Sequence, residues 1–472
     1  MGWMSGPCES VPQNLAPRSG LLYVHSEEES VRRSHRNSEL YWVPIGGRFY
    51  ATTQRIGRVS HPRFPVVPKG TPALPMWQTD QPNPTLPAKG FPLAHGAQHR
   101  MVFEPQPDRG DWAFNHHAAL GYFNGRFIAM WSSHPQGEDA PGQRVLYAVS
   151  TDGTNWSVPA EAFPPPSPIR DRGNAGFSLR PDRWVVVSNR CFAIAYLRGP
   201  GTGTYPIARE LFANGSWGAP FTLHPRPDRK TLPAYMRDTE PYRDPDTAQA
   251  ILSWYEDTAT VSWWAQMEGL VPRAGIGGAH LIEPLTYRAG DGETLLLLRF
   301  HPRSGGGIRH NNRMYVSLRD GDGKWTLPYP TNIPDSPSRT EAISLPDGAI
   351  LLVGNQIGTL DQGHYIPRDP LTVAISSDGY VFDRVYALRA DAPTGYRIPN
   401  ISGRTLGYGY CSSLVKDGWL YTLYSIGKED MAITRVPLSA LGLPDYSHYG
   451  IFSIRTTRRS SLQGRETKAF VE

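Results

Sequence analysis

Residues 124–131 read NGRFIAMW: an Asn-Gly pair, then a run of apolar, strand-forming residues. An Asn-Gly or Asp-Gly pair flanked by apolar residues is the strongest short-range signal for a β-hairpin, because the turn that suits twisted strands needs φ > 0 at its central positions. The pattern recurs in both directions along the chain. Upstream lies GGRFYATT near Gly47. Downstream lie PDRWVVVS near Asp182, PDTAQAILSWY near Asp246, GDGETLLLL near Gly292, PDGAILLVG near Gly348 and KDGWLYTLY near Gly418. Hairpins at roughly even spacing, with little helix between them, predict four-stranded units. One such unit cannot bury both of its faces, whereas a ring of them can, and a closed ring leaves only short, protected edges. The expectation is an all-β chain forming a single seven-bladed β-propeller. The weak copy at Asp246 leaves six blades as the alternative.

A second pattern marks blade edges. Ser150-Thr151-Asp152-Gly153-Thr154-Asn155-Trp156 matches Ser376-Ser377-Asp378-Gly379-Tyr380-Val381-Phe382 in spacing, with a looser copy from Asp320 to Trp325. These resemble the Asp-box turns of sialidase-like propellers. The aspartate accepts hydrogen bonds from its own turn and the aromatic packs between blades, so the role is structural. Residues 1–38 read as an irregular N-terminal arm, 39–457 as the propeller and 458–472 as a polar C-terminal tail. IFSIRTT at 451–457 is a candidate for the strand that closes the ring.

Composition narrows the function classes. Gly 47 and Pro 45 imply many turns, and Trp 13 with Tyr 23 suits strands and sugar-binding clefts. The net charge is +5, which favours an acidic partner. Arginine supplies most of the positive charge and its planar fork binds carboxylate or sulfate. There is no Lys/Arg run of the kind that tracks a phosphate backbone. An anionic polysaccharide or oligosaccharide is therefore the expected substrate, with no nucleic acid, no membrane partner and a monomeric chain. Three cysteines, Cys8, Cys191 and Cys411, do not make a disulfide framework. The opening MGWMSGPCES lacks a charged and then apolar leader pattern, so the compartment stays open on the residues alone.

The densest polar constellation is Trp112 to His117, with Asn115 and His116 inside it, followed by Ser132-Ser133-His134 and Glu138 to Arg144, which includes Gln143. His117 precedes the hairpin at Gly125 and His134 follows it, so both imidazoles are expected at the same open end. By the same reasoning Asn174 and Arg190 flank the turn near Asp182 and face that end one blade later. Arg309, His310, Asn311, Glu341, His364, Tyr365, Arg368, Tyr408 and Tyr410 also fall at strand ends. Together they would line one mouth of the ring.

The stretch FNHHAALGYFNGRFIAMWSSHPQGEDAPGQRVLYAVSTDGTNWS resembles the propeller-type ulvan lyases and the related enzymes acting on rhamnosyl-glucuronate linkages. The region from SPSRTEAISLPDGAILLVGNQ to LYSIGKEDMAITRVPL is similar to the same group. The resemblance covers about residues 110–200 and 330–440. It implies seven blades, a secreted or periplasmic location, and a site built from a His pair, an Arg and a Tyr. These map onto His117 (or His116), His134 and Arg190, while the Tyr position falls on Asn174. The implied reaction is β-elimination next to a uronic acid. Arg190 would neutralise the carboxylate, and a neutral histidine near its ordinary pKa would take the C5 proton. No organic or metal cofactor is required, although a structural calcium or zinc ion is compatible with the resemblance; the histidines and cysteines show no zinc spacing. Two other readings share the scaffold. One is a glycoside hydrolase, rhamnosidase- or sialidase-like, for which Arg190, Arg309, Arg368, Glu341 and Tyr408 could supply an arginine triad with a Tyr/Glu nucleophile. The other is a non-catalytic sugar-binding propeller.

Overall fold

In the computed structural model the described residues are 38–45, 48–55, 73–170, 175–199, 203–224, 232–237, 244–257, 271–275, 280–301, 312–319, 324–336, 338–358, 366–447 and 451–453. The first 37 residues and those from 454 onward lie outside this set, as does Asp320 of the third Asp-box copy. The hairpin expected at Gly47 forms from β1 (Ser38–Ile45) and β2 (Arg48–Arg55), paired only with each other. β3 is Gln98–Phe103.

Five antiparallel sheets follow. The first comprises β4 (Phe114–Phe123), β5 (Arg126–His134), β6 (Arg144–Ser150) and β7 (Ala160–Phe163). The second comprises β8 (Ser178–Val187), β9 (Arg190–Gly199), β10 (Gly203–Leu211) and β11 (Phe221–Thr222). The third runs β12 (Leu281–Arg288), β13 (Thr294–Phe300), β14 (Arg313–Leu318) and β15 (Tyr329–Pro334). The fourth runs β16 (Glu341–Ser344), β17 (Ile350–Gly354), β18 (Leu371–Ser376) and β19 (Phe382–Arg389). The fifth joins β20 (Tyr408–Lys416), β21 (Trp419–Ile426) and β22 (Asp430–Pro437) to β3, with β23 (Ile451–Ser453) on the free edge of β20. The opening strands of the blades meet in the middle: β4 neighbours β8 and β20, and β16 neighbours β12 and β20.

The all-β propeller is therefore correct, but it has five blades rather than seven or six. Two of the seven expected hairpins account for the difference. The copy at Gly47 adds no blade. The copy at Asp246 is a helix, Pro245–Asp257. Its start is written in the sequence: Asp244 Oδ1 accepts the backbone N–H of Thr247 at 3.0 Å, and proline occupies the first helical position. This helix packs Ala248, Ile251 and Leu252 onto Val185, Phe192, Ile194 and Phe221 of the second blade. The other face of that blade meets the first: Cys191, Ala193, Ala195 and Leu197 cluster with Ala119, Ile128 and Met130. Residues 191–197 thus alternate between the two cores with the period of a strand.

Ring closure pairs an N-terminal strand with the last blade. β3 runs antiparallel to β22, Arg100 opposite Ile433. The segment 451–457 was the expected closing strand, yet its described part, β23, pairs with β20 inside the same blade. The two Asp-box turns are as expected. Asp152 Oδ1 accepts the N–H groups of Thr154 and Asn155, both at 2.8 Å. Asp378 Oδ1 accepts those of Tyr380 and Val381, and Phe382 is fully buried in the core between the third and fourth blades.

Candidate functional site

The register of β4 and β5 places Phe114 opposite His134, Asn115 opposite Ser133 and His116 opposite Ser132; a bulge follows before Ala119 pairs with Met130. His117 occupies that bulge with φ of 58°. Neighbouring residues in a regular strand point to opposite faces. The bulge undoes this, and the rings of His116 and His117 lie 4.6 Å apart, centroid to centroid.

The same device recurs twice more around the channel. β12 carries a bulge between Ile282 and Leu285, with Glu283 at φ of 53°. β20 carries one between Gly409 and Ser412, with Tyr410 at φ of 55°. Left-handed backbone is unfavourable for such residues and persists where its surroundings enforce it, often at functional sites. Three opening strands thus turn one polar side chain each towards a common centre. The Tyr410 ring lies 4.3 Å from that of His116 and 5.3 Å from that of His117.

Tyr410 is the hub. Its hydroxyl donates to Glu283 Oε1. Arg299 Nη1 donates to Glu283 Oε2 at 2.5 Å and to the Tyr410 oxygen at 3.1 Å. The Arg368 guanidinium lies over the Tyr410 ring, 5.1 Å from its centroid. All four groups are buried or nearly so. Burial pushes the Glu283 carboxyl up, but Arg299 and the Tyr410 hydroxyl outweigh it, and the net shift is downward. Burial and then the Glu283 carboxylate push the Tyr410 phenol up. At neutral pH the pair is a phenol donating to a carboxylate. Asp335, buried close by, is raised well above the usual carboxylate range by burial.

A second network adjoins it. Glu138 Oε1 is 3.1 Å from His117 Nε2, and Lys428 Nζ donates to Glu138 Oε2 at 2.7 Å. Arg180 Nη2 donates to both oxygens of Asp139, at 2.8 and 2.7 Å. Burial lowers His117 to about 4, with Arg180 adding to the effect.

Several residues expected in the site build its frame. Asn115 is fully buried; its amide donates to the carbonyls of Trp112 and Glu429, and its oxygen accepts the Trp131 indole N–H. With its backbone N–H on Lys428 O, it pins the turn that carries Lys428. Gln143 accepts the N–H of Asp139 and donates to Leu179 O, holding the loop that bears Glu138 and Asp139. His134 Nδ1 accepts the N–H groups of Gln136 and Gly137, and its Nε2 bonds Pro141 O. Both ring nitrogens are thus tied to the backbone of that loop. Glu341 accepts the Ser413 N–H and pairs with Arg339, joining the fourth blade to the fifth. Tyr408 donates to Ala390 O.

Arg190 is a correction of placement. The expected turn at Asp182 is a bulge between Pro181 and Arg183, and the hairpin turns at Ser188 and Asn189. Arg190, opposite Val187, therefore sits at the turn end, whereas the histidines lie at the other end of their hairpin. It pairs there with Glu210 and Asp244. Arg180, at the near end, is the arginine beside His117 and Glu138. Asn174, Arg309, His310, Asn311, His364 and Tyr365 lie outside the described residues.

Glu283 and Arg299 were not singled out by the sequence patterns. Their signal was a lone charge inside an apolar strand, in LIEPL and LLLLRF, where a charge needs a partner.

A family model described as a BNR repeat-like domain matches residues 231–421, and one described as an N-terminal β-propeller matches residues 96–178. Among solved structures, a sialidase matches at 18% identity with a TM-score of 0.56, over 78% of this chain and 35% of its own length. The fold is that of a sialidase-like β-propeller. The sialidase of Trypanosoma rangeli matches at 13% identity and a TM-score of 0.44, over 74% of this chain and 61% of its own. The Hadza microbial sialidase matches at 11% and 0.37, over 73% and 69%. No curated protein matches the chain. The propeller thus spans little more than a third of the first of these sialidases. Nothing in these matches speaks for the expected ulvan or rhamnosyl-glucuronate specificity.

Proposed function

We propose that the chain is a glycoside hydrolase acting on a carboxylate-bearing sugar, with Tyr410 as nucleophile and Glu283 as its base. One observation carries this reading: the buried Tyr410 hydroxyl donates to the Glu283 carboxylate while Arg299 reaches both groups. Sialidases depart from the usual pair of catalytic carboxylates by using a tyrosine nucleophile. A phenol becomes an adequate nucleophile when an adjacent carboxylate takes its proton as the new bond forms. Arg299 and Arg368 supply the positive field that a substrate carboxylate needs, and Arg299 Nε has no partner among the described residues. The test is incubation with a panel of sialic-acid and uronic-acid glycosides, following the released sugar by NMR. Tyr410→Phe and Glu283→Gln should each lower turnover at least ~10²-fold, whereas Arg190→Ala, far from the tyrosine, should leave it unchanged. Full activity in Tyr410→Phe would end this reading.

A second reading, β-elimination, draws on the neutral His117 beside Tyr410. His117 would take the C5 proton, and Tyr410 would supply the phenol absent at Asn174. Its product carries a carbon–carbon double bond that absorbs in the ultraviolet, which a hydrolysis product lacks.

A further inference from the structure

Neither reading uses the two imidazole nitrogens that face Glu138. The proton positions on these rings follow from their partners. Ser132 has one hydroxyl proton, and it goes to the carbonyl of His116 at 3.0 Å. The 2.7 Å contact between Ser132 Oγ and His117 Nδ1 must then be donated by the imidazole. His117 is therefore the Nδ1–H tautomer, and its Nε2 carries a lone pair. The same holds one residue earlier. The Ser425 hydroxyl donates to Gly409 O, so His116 Nδ1, 2.7 Å from Ser425 Oγ, is the donor. Its Nε2 carries a lone pair too. Both Nε2 atoms are buried without a hydrogen-bond partner. Yet the Nε2 of His117 faces a carboxylate oxygen at 3.1 Å, lone pair against negative charge. Leaving such atoms unmatched in a buried place costs about 1–3 kcal/mol each. A cation between them would remove that cost at all three atoms.

We propose that His116, His117 and Glu138 form a binding site for a divalent transition-metal ion of the zinc class. The available ligand atoms of the three residues lie within 4.8 Å of one another. Two neutral imidazoles and one carboxylate match zinc-type chemistry, whereas calcium and magnesium take oxygen. Three protein ligands leave a position open for water or a substrate oxygen. The outer contacts are those that metal-binding histidines normally have: each ring's other nitrogen is held by a hydroxyl. Lys428 holds the second Glu138 oxygen, leaving Oε1 turned to the histidines. The left-handed backbone at His117 is what puts two consecutive histidines on one side of a strand. A metal on His117 Nε2 would exclude that nitrogen as the base of an elimination. The proposal does not depend on the hydrolase reading, since neither Tyr410 nor Glu283 is a ligand.

Titration of the chelator-treated full chain with Co²⁺ or Zn²⁺ tests this, with Co²⁺ followed by its visible absorption and Zn²⁺ by calorimetry. One ion per chain should bind. His116→Gln, His117→Gln and Glu138→Gln should each weaken binding at least ~10-fold, and Tyr410→Phe and His99→Gln should bind as the unmodified chain does. The titration of the unmodified protein decides even where a variant fails to fold. Absence of a cobalt spectrum and of zinc heat, or binding unchanged in both folded histidine variants, would overturn the site. Metal binding that persists in an inactive Tyr410→Phe protein supports the site, whatever the fate of the hydrolase reading.

Discussion

At the scale of single residues, the site depends on how closely its arginines approach the backbone that carries Tyr410. Gly409 precedes the tyrosine, and a Cβ there would lie 2.8 Å from Arg368 Nη1 and 2.9 Å from its Cδ. Gly407 is more constrained still: its φ is 92° and a Cβ would meet the Arg368 backbone at 2.4 Å. The two glycines of GYGYC thus let Arg368 lie flat against β20 and over the phenol ring. Gly409→Ala should displace the guanidinium while leaving the strand paired. The expected outcome is a loss of ~10²-fold in kcat/KM on an acidic glycoside, the usual worth of one lost electrostatic stabiliser, with the melting temperature lowered by a few degrees at most. Steady-state kinetics beside a thermal melt would show it; equal loss of both would mean that the glycine serves packing alone.

At the scale of elements, two pieces answer to simple physical chemistry. The helix Pro245–Asp257 is capped by Asp244, whose carboxylate takes the Thr247 N–H. Asp244→Ala should cost about 1 kcal/mol, read as a shift in a urea unfolding midpoint. Loss of the Asp244 contact to Arg190, at 3.4 Å and well exposed, should add little. β3 carries a pH response. His99 Nδ1 meets Thr434 Oγ1 on β22 at 2.8 Å. Desolvation of its ring, with Arg389 and Arg100 nearby, lowers it from 6.5 to about 4. A base whose pKa is lower folded than unfolded binds more protons when unfolded, so stability falls as pH falls between those two values. Melting temperatures at pH 7 and pH 5 should therefore differ less in His99→Gln than in the unmodified chain. Identical pH slopes would remove His99 from the account.

At the scale of the whole molecule, the ring is held shut by β3, whose residues are far in sequence from the blade they complete. Val102 shares a core with Leu423, Met431 and Ile433 of the last blade and with Leu120, Phe127 and Trp131 of the first. A chain beginning at residue 105 would expose the edge of β22 and open that core, and unpaired edges invite aggregation. Such a chain should be recovered insoluble or as large oligomers on size exclusion. Trp131 is fully buried in the same core, and Trp131→Ala should cost about 3–5 kcal/mol, measured by denaturant unfolding.

The sequence by itself determined what depends on neighbours. Asn124-Gly125, Asp347-Gly348 and Asp417-Gly418 announced their hairpins, because a turn's φ/ψ demands are met by the residues inside it. The Asp boxes were legible for the same reason, and so was the propeller class. The blade count was not, since apolar residues in 245–255 suit a strand or a helix equally, and the Asp244 cap had to be weighed against the Asp-Gly pattern. The histidine pair at 116–117 was legible as a polar cluster beside a hairpin end. Its pairing with Tyr410, Glu283 and Arg299 was decided only by tertiary structure. Three bulges on three separate blades turn those side chains to one centre, and a bulge is set by how a strand fits its neighbours rather than by its own residues. The displacement of Arg190 has the same cause: Pro181 and Asp182 fell within a bulged strand, the turn moved to Ser188 and Asn189, and Arg180 came to stand beside His117.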